Sequence, residues 1–326
     1  MVDLEIKSKI ETIVREIFPN SAIVQIEKIP KGFMNTKYLI RISNPDKDLV
    51  LKIADGKRYQ KPYVLKEAAV LKLVKNKLPD LPVPEIFLAK EAHPMFSADL
   101  VLMSKLPGID LADLWGNLSR EEKADIVYQM GCLLAKLHTI KSDKFGGIAN
   151  DGSLKDGSDS WAKATIPNLF EELGKQEVLG VHAPEFRDEI IRYFRSNLPI
   201  FAAQQEPTLV HIDWHKDHFR VEKINGKWKV VGVLDFEFAE YAPKLYDFVK
   251  SERWLFRDEP ATREPFMRGY KEAGGSLPDN HGEALNVFRA HHKVFFVRRL
   301  FEGNGRDATF DEYVKRLGEL ISERRD

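Results

Sequence analysis

Residues 209 to 235 hold the densest set of side chains able to do chemistry. They begin L-V-H-I-D-W-H-K-D-H-F-R-V and, past an Asn-Gly turn, end W-K-V-V-G-V-L-D. An apolar run delivers His211 and Asp213 to a loop. Two further strand-like runs deliver a second carboxylate, Asp235. Phosphoryl transfer needs this pair: one acid to orient a hydroxyl, another to hold a cation on the phosphates.

The elements that must position these groups can be read outward from them. Leu4, Ile6, Ile10, Ile13, Val14 and Ile17 recur at helical spacing over 3–18. Three strand-like runs follow, A-I-V-Q-I-E-K-I, K-Y-L-I-R-I-S and D-L-V-L-K-I-A, with Pro45 and Asp46 in the last turn. A helix is expected over 62–77 with Pro62 at its start. L-P-D-L-P-V-P then forces extended chain into two more strands, I-F-L-A and D-L-V-L-M-S. From Leu106 the pattern becomes helical, with helices expected over 119–139, 184–204, 243–256, 260–273, 280–301 and 309–324. The stretch F-G-G-I-A-N-D-G-S-L-K-D-G-S-D-S reads as a polar, glycine-rich loop. The expected organisation is α+β: a small, mostly antiparallel-sheet lobe over 1–105 and a large helical lobe over 106–326.

Composition excludes several classes. The 326 residues are 43% hydrophobic, enough for a proper core. No apolar run is long enough to span a bilayer, and no export signal is visible. Cys132, the only cysteine, cannot form an internal disulfide, which fits the cytoplasm, and reads as a small buried hydrophobe. Net charge is zero, yet residues 1–105 hold 18 Lys and Arg against 13 Asp and Glu, and the remainder is acidic. That asymmetry suits an anionic nucleotide and a cationic second substrate. Basic residues are spread among acids, so no nucleic-acid surface is expected. A monomer or dimer is expected.

His211, Asp213 and His218 follow the spacing of the kinase catalytic loop H-R-D-x-x-x-x-N, and Asp235 in D-F-E stands where the D-F-G aspartate stands. Position 218 and Asp235 would converge on the metal, with Asp213 facing the hydroxyl. In the first lobe, Lys52 lies in L-V-L-K-I-A and Glu67 in V-L-K-E-A-A-V-L-K. A strand lysine on phosphates, held by a helix glutamate, is the second device of such enzymes. Its neighbour Lys66 reads as a surface residue. Between the first two strands, K-G-F-M-N-T places Gly32 and Asn35 where a phosphate-covering loop belongs.

These motifs, with L-V-L-M-S-K-L-P-G, L-L-A-K-L-H and E-F-A-E-Y-A-P-K-L-Y-D, stand in the order seen in the aminoglycoside phosphotransferase and choline kinase group of small-molecule kinases, which the chain resembles over residues 20 to 250. The resemblance implies a protein-kinase-like two-lobe fold and an ATP- or GTP-dependent transfer to a small-molecule hydroxyl, such as an antibiotic, choline or an amino-sugar. By it, Asp213 is the catalytic acid-base residue, Asp235 a magnesium ligand, Lys52 a phosphate contact and Glu67 its anchor. Met103, Ser104 and Lys105 would offer backbone groups to the base. His211 and Asp247 would support the catalytic loop.

Two positions depart from the pattern. Ile212 replaces the glycine of H-G-D, which restricts the loop. His218 replaces the asparagine at the second metal position; imidazole is a softer donor than magnesium prefers, so His218 would weaken metal binding, favour manganese, or bond a phosphate instead. Some macrolide phosphotransferases also resemble this chain in carrying histidine there. On the acceptor side the candidates are Glu237, Glu240, Asp156 and Asp159, for a polyamine-like sugar or amino alcohol, and Trp161 and Trp254, for an apolar ring or quaternary ammonium. Two other readings compete. D-W-H-K-D-H half-matches the H-x-H-x-D-H of dinuclear zinc hydrolases, with His281, His291 and His292 as later ligands. Ile212 and His218 also allow a nucleotide-binding module without turnover.

His218→Asn is expected to keep turnover and to shift metal preference toward magnesium in a divalent-cation titration. An unchanged preference would take His218 out of the metal set.

Overall fold

The computed structural model describes residues 2–30, 35–54 and 63–322. Gly32 and Pro62 lie outside them. The first part is a five-stranded antiparallel sheet: β1 (Ala22–Ile29), β2 (Thr36–Ser43), β3 (Lys47–Ile53), β4 (Ile86–His93) and β5 (Ala98–Ser104), ordered β1-β2-β3-β5-β4. One face is apolar at every second residue, with Ile40, Ile42, Leu49 and Leu51 buried. It is covered by α1 (Leu4–Ile17) through Ile10, Ile13 and Val14. The other face takes α2 (Val64–Lys77), whose Val64, Leu65 and Ala68 pack on Val101 and Met103.

The rest is mainly helical. After β6 (Ile109–Asp110) and α3 (Leu111–Leu114), α4 (Arg120–Leu137) starts at Ser119, whose Oγ accepts the Glu122 amide while the Glu122 carboxylate accepts the Ser119 amide. The glycine-rich stretch after it is more ordered than expected: β7 (Phe145–Ile148) and β8 (Leu154–Ser158) form a hairpin. A helix absent from the sequence reading follows, α5 (Trp161–Val178), with Pro167 inside it and Ser160 capping its start. The single helix expected over 184–204 is two, α6 (Pro184–Ser196) and α7 (Leu198–Ala202), because Pro199 fits only a first turn.

β9 (Thr208–Val210), the hairpin of β10 (Phe219–Ile224) and β11 (Lys227–Val233), and β12 (Glu240–Ala242) build the floor of the site. β12 pairs with both β7 and β9, and β10 with β6. The chain then forms α8 (Leu245–Ser251), which runs into a π-helical turn over Glu252–Phe256, followed by α9 (Arg263–Glu272), α10 (His281–Asn304) and α11 (Ala308–Ser322).

The seam between α4 and α9 is built on glycine. A Cβ on Gly131 would overlap the Phe266 carbonyl, and one on Gly269 the Tyr128 carbonyl. The half-buried Cys132 thiol donates to the Gly269 carbonyl across this seam, at 3.3 Å. The close approach brings His138, at the end of α4, within 2.8 Å of the Tyr270 hydroxyl on α9.

Gly131→Ala and Gly269→Ala are each expected to destabilise the chain by about 2 kcal/mol or more, because backbone blocks the added methyl. Helix propensity alone would give the opposite sign, about 1 kcal/mol of stabilisation. Urea unfolding of the two variants separates the outcomes.

Candidate active site

The catalytic-loop backbone is fixed from below by Asp247 of α8, which is fully buried. Its carboxylate accepts the His211 amide at 3.0 Å and the Ile212 amide at 2.5 Å. His138 Nε2 stands 2.9 Å from the same group. Just past these two amides the chain bends sharply, with Ile212 at φ +70°. A β-branched residue is strained there, which is where a glycine would be at ease. The Ser251 hydroxyl donates to the Trp214 carbonyl at 2.7 Å, and Lys216 Nζ to the Trp254 carbonyl at 2.9 Å. His211 is buried, with Nε2 2.9 Å from the Leu234 carbonyl, so it ties the loop to the strand end that carries Asp235.

On this platform the two carboxylates meet across one imidazole. His218 Nε2 is 3.2 Å from Asp213 Oδ2, and its Nδ1 is 3.6 Å from Asp235 Oδ2. Asp213 Oδ1 also lies 3.1 Å from His215 Nε2 and 3.1 Å from Lys250 Nζ. Burial opposes the Asp213 charge, but hydrogen bonds from His215 and His218 and the Lys250 ammonium hold it far below the usual carboxylate range. Asp213 is therefore an ionised acceptor, suited to orienting a hydroxyl. Asp235 is at φ +69°, and its Oδ1 is buried with no hydrogen-bond partner among the described residues. Burial opposes its charge too, and Lys52, His218 and Lys37 outweigh that.

Lys52 and Glu67 form the expected pair. Lys52 Nζ donates to Glu67 at 2.7 and 2.5 Å, with both residues buried. Burial works against the ammonium, yet Glu67 and Asp235 raise it above its ordinary range. Asn35 stands beside β2 with its Oδ1 buried and unpartnered among the described residues.

Three residues of this site escaped the sequence reading as site members. Lys37 lies opposite Lys52 in the β2–β3 register, and burial and then Lys52 lower its pKa. That pairing is readable only once the hairpin register is known. Lys250 follows Asp247 by three positions, the spacing that puts both on one helix face. His215 had been weighed only as a zinc ligand. Lys66, expected on the surface, instead faces Glu240 and Glu237, and burial lowers its pKa.

Other expectations need correction. The Ser104 amide donates to the Glu85 carbonyl at 2.9 Å and the Lys105 amide to the Asp48 carbonyl at 3.0 Å, which narrows the backbone groups expected to meet a base to those other than these two amides. Met103 is buried in the sheet between β3 and β4. Trp161 is a core residue, 6% exposed, packed between Phe145 and Tyr246 rather than facing a ligand. Asp159 is exposed and 3.7 Å from Lys144. Glu237 and Glu240 turn toward α2; burial and then Asp235 push Glu237 up to about 7, and burial does the same to Glu240. Trp254 lies beside the catalytic loop, its ring 6.2 Å from His215, and Glu240 pairs through β12 with Val210, the residue before that loop. Asp213, His215 and His218 do offer ligand atoms within 4.8 Å of one another. The later histidines of the zinc reading serve other ends: His291 takes the Tyr246 hydroxyl in the core, His292 stacks on Phe296, and His281 is exposed at the start of α10.

Residues 25–282 match the phosphotransferase enzyme family. The chain belongs to that family. No curated protein matches it in sequence. Among solved structures, the GDP complex of aminoglycoside 2′-phosphotransferase-IIIa is 20% identical at a TM-score of 0.64, covering 98% of each chain. A thermostable mutant of aminoglycoside phosphotransferase APH(4)-Ia, in ternary complex with AMP-PNP and hygromycin B, is 14% identical at 0.68, covering 96% of this chain and 98% of its own. A fructosamine-3-kinase-like protein of Thermobifida fusca is 12% identical at 0.67, covering 95% and 97%. The shared architecture is the expected protein-kinase-like fold, an antiparallel-sheet region followed by a helical one. No helix among the described residues is long and apolar enough to cross a membrane.

Glu240 gives this phosphotransferase a readable pH dependence. Its folded pKa of about 7 lies above the ordinary 4.5. The folded state therefore holds the proton more tightly, and that contribution to stability is complete below about pH 4 and lost as pH rises through 7. Glu240→Gln should be more stable than the parent by up to about 3 kcal/mol at pH 8, with the gap falling to about 1 kcal/mol or less by pH 5. Urea melts at the two pH values test this; a constant gap would mean Glu240 is not the titrating group.

Proposed function

We propose that this phosphotransferase moves the γ-phosphoryl group of ATP or GTP to a hydroxyl of a small molecule. The convergence of Asp213 and Asp235 on His218, with the Lys52–Glu67 pair on the facing sheet, carries this reading. Residues 1–105 act as the nucleotide lobe and 106–326 as the catalytic and acceptor lobe. Neighbours solved with GDP and AMP-PNP support the nucleotide, and those solved with kanamycin and hygromycin B support an antibiotic among the acceptors. The fructosamine-3-kinase-like neighbour keeps a metabolite in the same panel.

Asp213 accepts a hydrogen bond from the acceptor hydroxyl and aims its oxygen in line with the γ-phosphorus. As the new P–O bond forms and the bond to the β-bridging oxygen breaks, the hydroxyl proton passes to Asp213 and then to solvent. A carboxylate held this far below its ordinary pKa is a weak base, so the proton moves late. Lys52, fixed by Glu67, neutralises phosphate charge, with Lys37 beside it as a second cation. Asp235 presents an unpartnered carboxylate oxygen, the hard donor that magnesium prefers, and His218 Nδ1 faces the same side. Magnesium or manganese held there would supply charge neutralisation on the β- and γ-phosphates. His218 Nε2 meanwhile orients Asp213, so the imidazole links the two carboxylates. Asn35 would help cover the phosphates, a role also expected of Gly32, which lies outside the described residues. A cytoplasmic monomer or dimer, with no nucleic-acid or membrane partner, completes the reading.

Asp213→Asn should lower turnover by at least about 10²-fold, the range of general acid–base contributions, while leaving nucleotide affinity within a few-fold. Coupled nucleotide-consumption assays over aminoglycosides, macrolides, amino alcohols and sugars, paired with nucleotide titration, check both. Near-parental turnover would refute the role of Asp213.

A further inference from the structure

A cavity of about 90 Å³ lies among α8, its π-helical continuation, α10 and α11, and six cationic side chains line it: Lys250, Arg253, Arg257, Arg289, Lys293 and Arg316. Two carboxylates share the wall. Glu252 is taken up by Arg263 through both of its oxygens, and Glu319 pairs with Lys315 at 4.0 Å. Three of the cations have acidic partners: Lys250 with Asp213 at 3.1 Å, Arg257 with Asp258 at 3.2 Å and Arg316 with Glu312 at 2.5 Å. Arg253, Arg289 and Lys293 have no carboxylate at ion-pairing distance among the described residues, although Glu312 and Asp258 act on Arg253 from farther off and Arg289 donates to the Asn286 side chain at 2.9 Å.

The unmatched cations are held rather than splayed into solvent. Lys293 is 8% exposed, with its ammonium 4.7 Å from the centre of the Tyr313 ring. Arg253 lies 4.1 Å from the Tyr313 ring and 4.5 Å from Trp254, and its Nε is buried without an acceptor. Ring faces give such groups a resting place but no counter-charge. Burial and four surrounding guanidinium groups pull Lys293 down to about 7. Gathering unmatched like charges destabilises a fold unless an anion completes the set. The volume suits one anionic group with a few waters, since a water needs roughly 10–15 Å³ on such a measure.

The cavity adjoins the reacting centre. Lys250 lines it and touches Asp213, and Trp254 stands between Arg253 and His215. We propose that this cavity is the acceptor's anion subsite: it takes a carboxylate or phosphate of a hydroxylated compound, antibiotic or metabolite, whose hydroxyl is then presented to Asp213. The proposal rests on the phosphotransferase reading of Asp213 for its second half only. Trp254, one of the expected acceptor residues, lies against Arg253 at this cavity, and a polyamine would meet like charge there.

The test has two arms, both on the full chain saturated with a non-hydrolysable ATP analogue and magnesium so that the nucleotide site is filled. In the first, inorganic phosphate and gluconate are titrated by calorimetry. Saturable binding is expected, weakened at least tenfold in both Lys293→Met and Arg253→Gln. Lys293→Met should melt no lower than the parent without anion, because it removes a buried unmatched charge. In the second arm, ATP replaces the analogue, and a polyol, its aldonic acid, its phosphate ester and its amine are compared as acceptors. The acid or the ester should exceed the polyol and the amine at least tenfold in kcat/KM, and whichever leads identifies the group. Lys293→Met should raise the KM of that acceptor and leave the nucleotide KM unchanged. Anion binding that Lys293→Met abolishes, without turnover of any member, supports the subsite and counts against the phosphotransfer reading alone. No anion binding to the nucleotide-loaded parent, or preference for the amine, overturns the proposal.

Discussion

A single buried carboxylate sets the geometry on which the site depends. Asp247 has no solvent to satisfy it, so every lone pair must find a donor in the protein. It takes two successive backbone amides and faces a histidine side chain. Just past those two fixed amides the chain turns sharply, and Ile212 bears that bend at positive φ. The bend throws Asp213 out of the strand and into the cleft. Strain of about 1–3 kcal/mol at such a residue persists only where surrounding bonds outweigh it. Ser251 and Lys250, on the same helix, add a backbone anchor and a counter-ion. The glycine seam between α4 and α9 lies beneath this arrangement, since it brings His138 and Tyr270 under Asp247.

The facing lobe supplies charge instead of strain. A lysine as buried as Lys52 would lose its proton without compensation, and Glu67 restores it through two short hydrogen bonds. The pair is worth more to function than to stability, because burying both charges costs much of what their attraction returns. Its effect is a fixed ammonium at a fixed place. Lys37, opposite Lys52 in the neighbouring strand, adds a second amine to the same cleft wall, with burial and Lys52 working against its charge.

Much of this was legible in the sequence, because the chemistry is concentrated at short spacing. His211, Asp213, His218 and Asp235 come from one hairpin-bearing segment, and Lys52 and Glu67 from one strand and the next helix. Local spacing therefore carried the geometry. What failed was local order hidden by breaker residues and charge gathered from afar. Pro167 and the glycines of 146–157 masked α5 and the β7–β8 hairpin, since both types read as interruptions when packing is unknown. Trp161 read as a ligand face because a tryptophan beside a polar loop looks exposed, whereas Phe145 and Tyr246 enclose it. Ser104 and Lys105 read as offering backbone groups to a base, and Glu85 and Asp48 take up the amides among those groups. The cations around Lys293 sit on three helices between positions 250 and 316, each ordinary on its own helix. Only their packing turns an overall acidic half of the chain into one with a positive cavity beside its reacting centre.

The central claim is that Asp235 grips the cation while Asp213 stays free for the hydroxyl. Crystals grown with a non-hydrolysable nucleotide and manganese would locate the metal by anomalous scattering. The account predicts a peak against Asp235 and the nucleotide phosphates, with Asp213 facing the γ-phosphoryl group and not coordinating. A peak centred on Asp213, His215 and His218, independent of nucleotide, would contradict it.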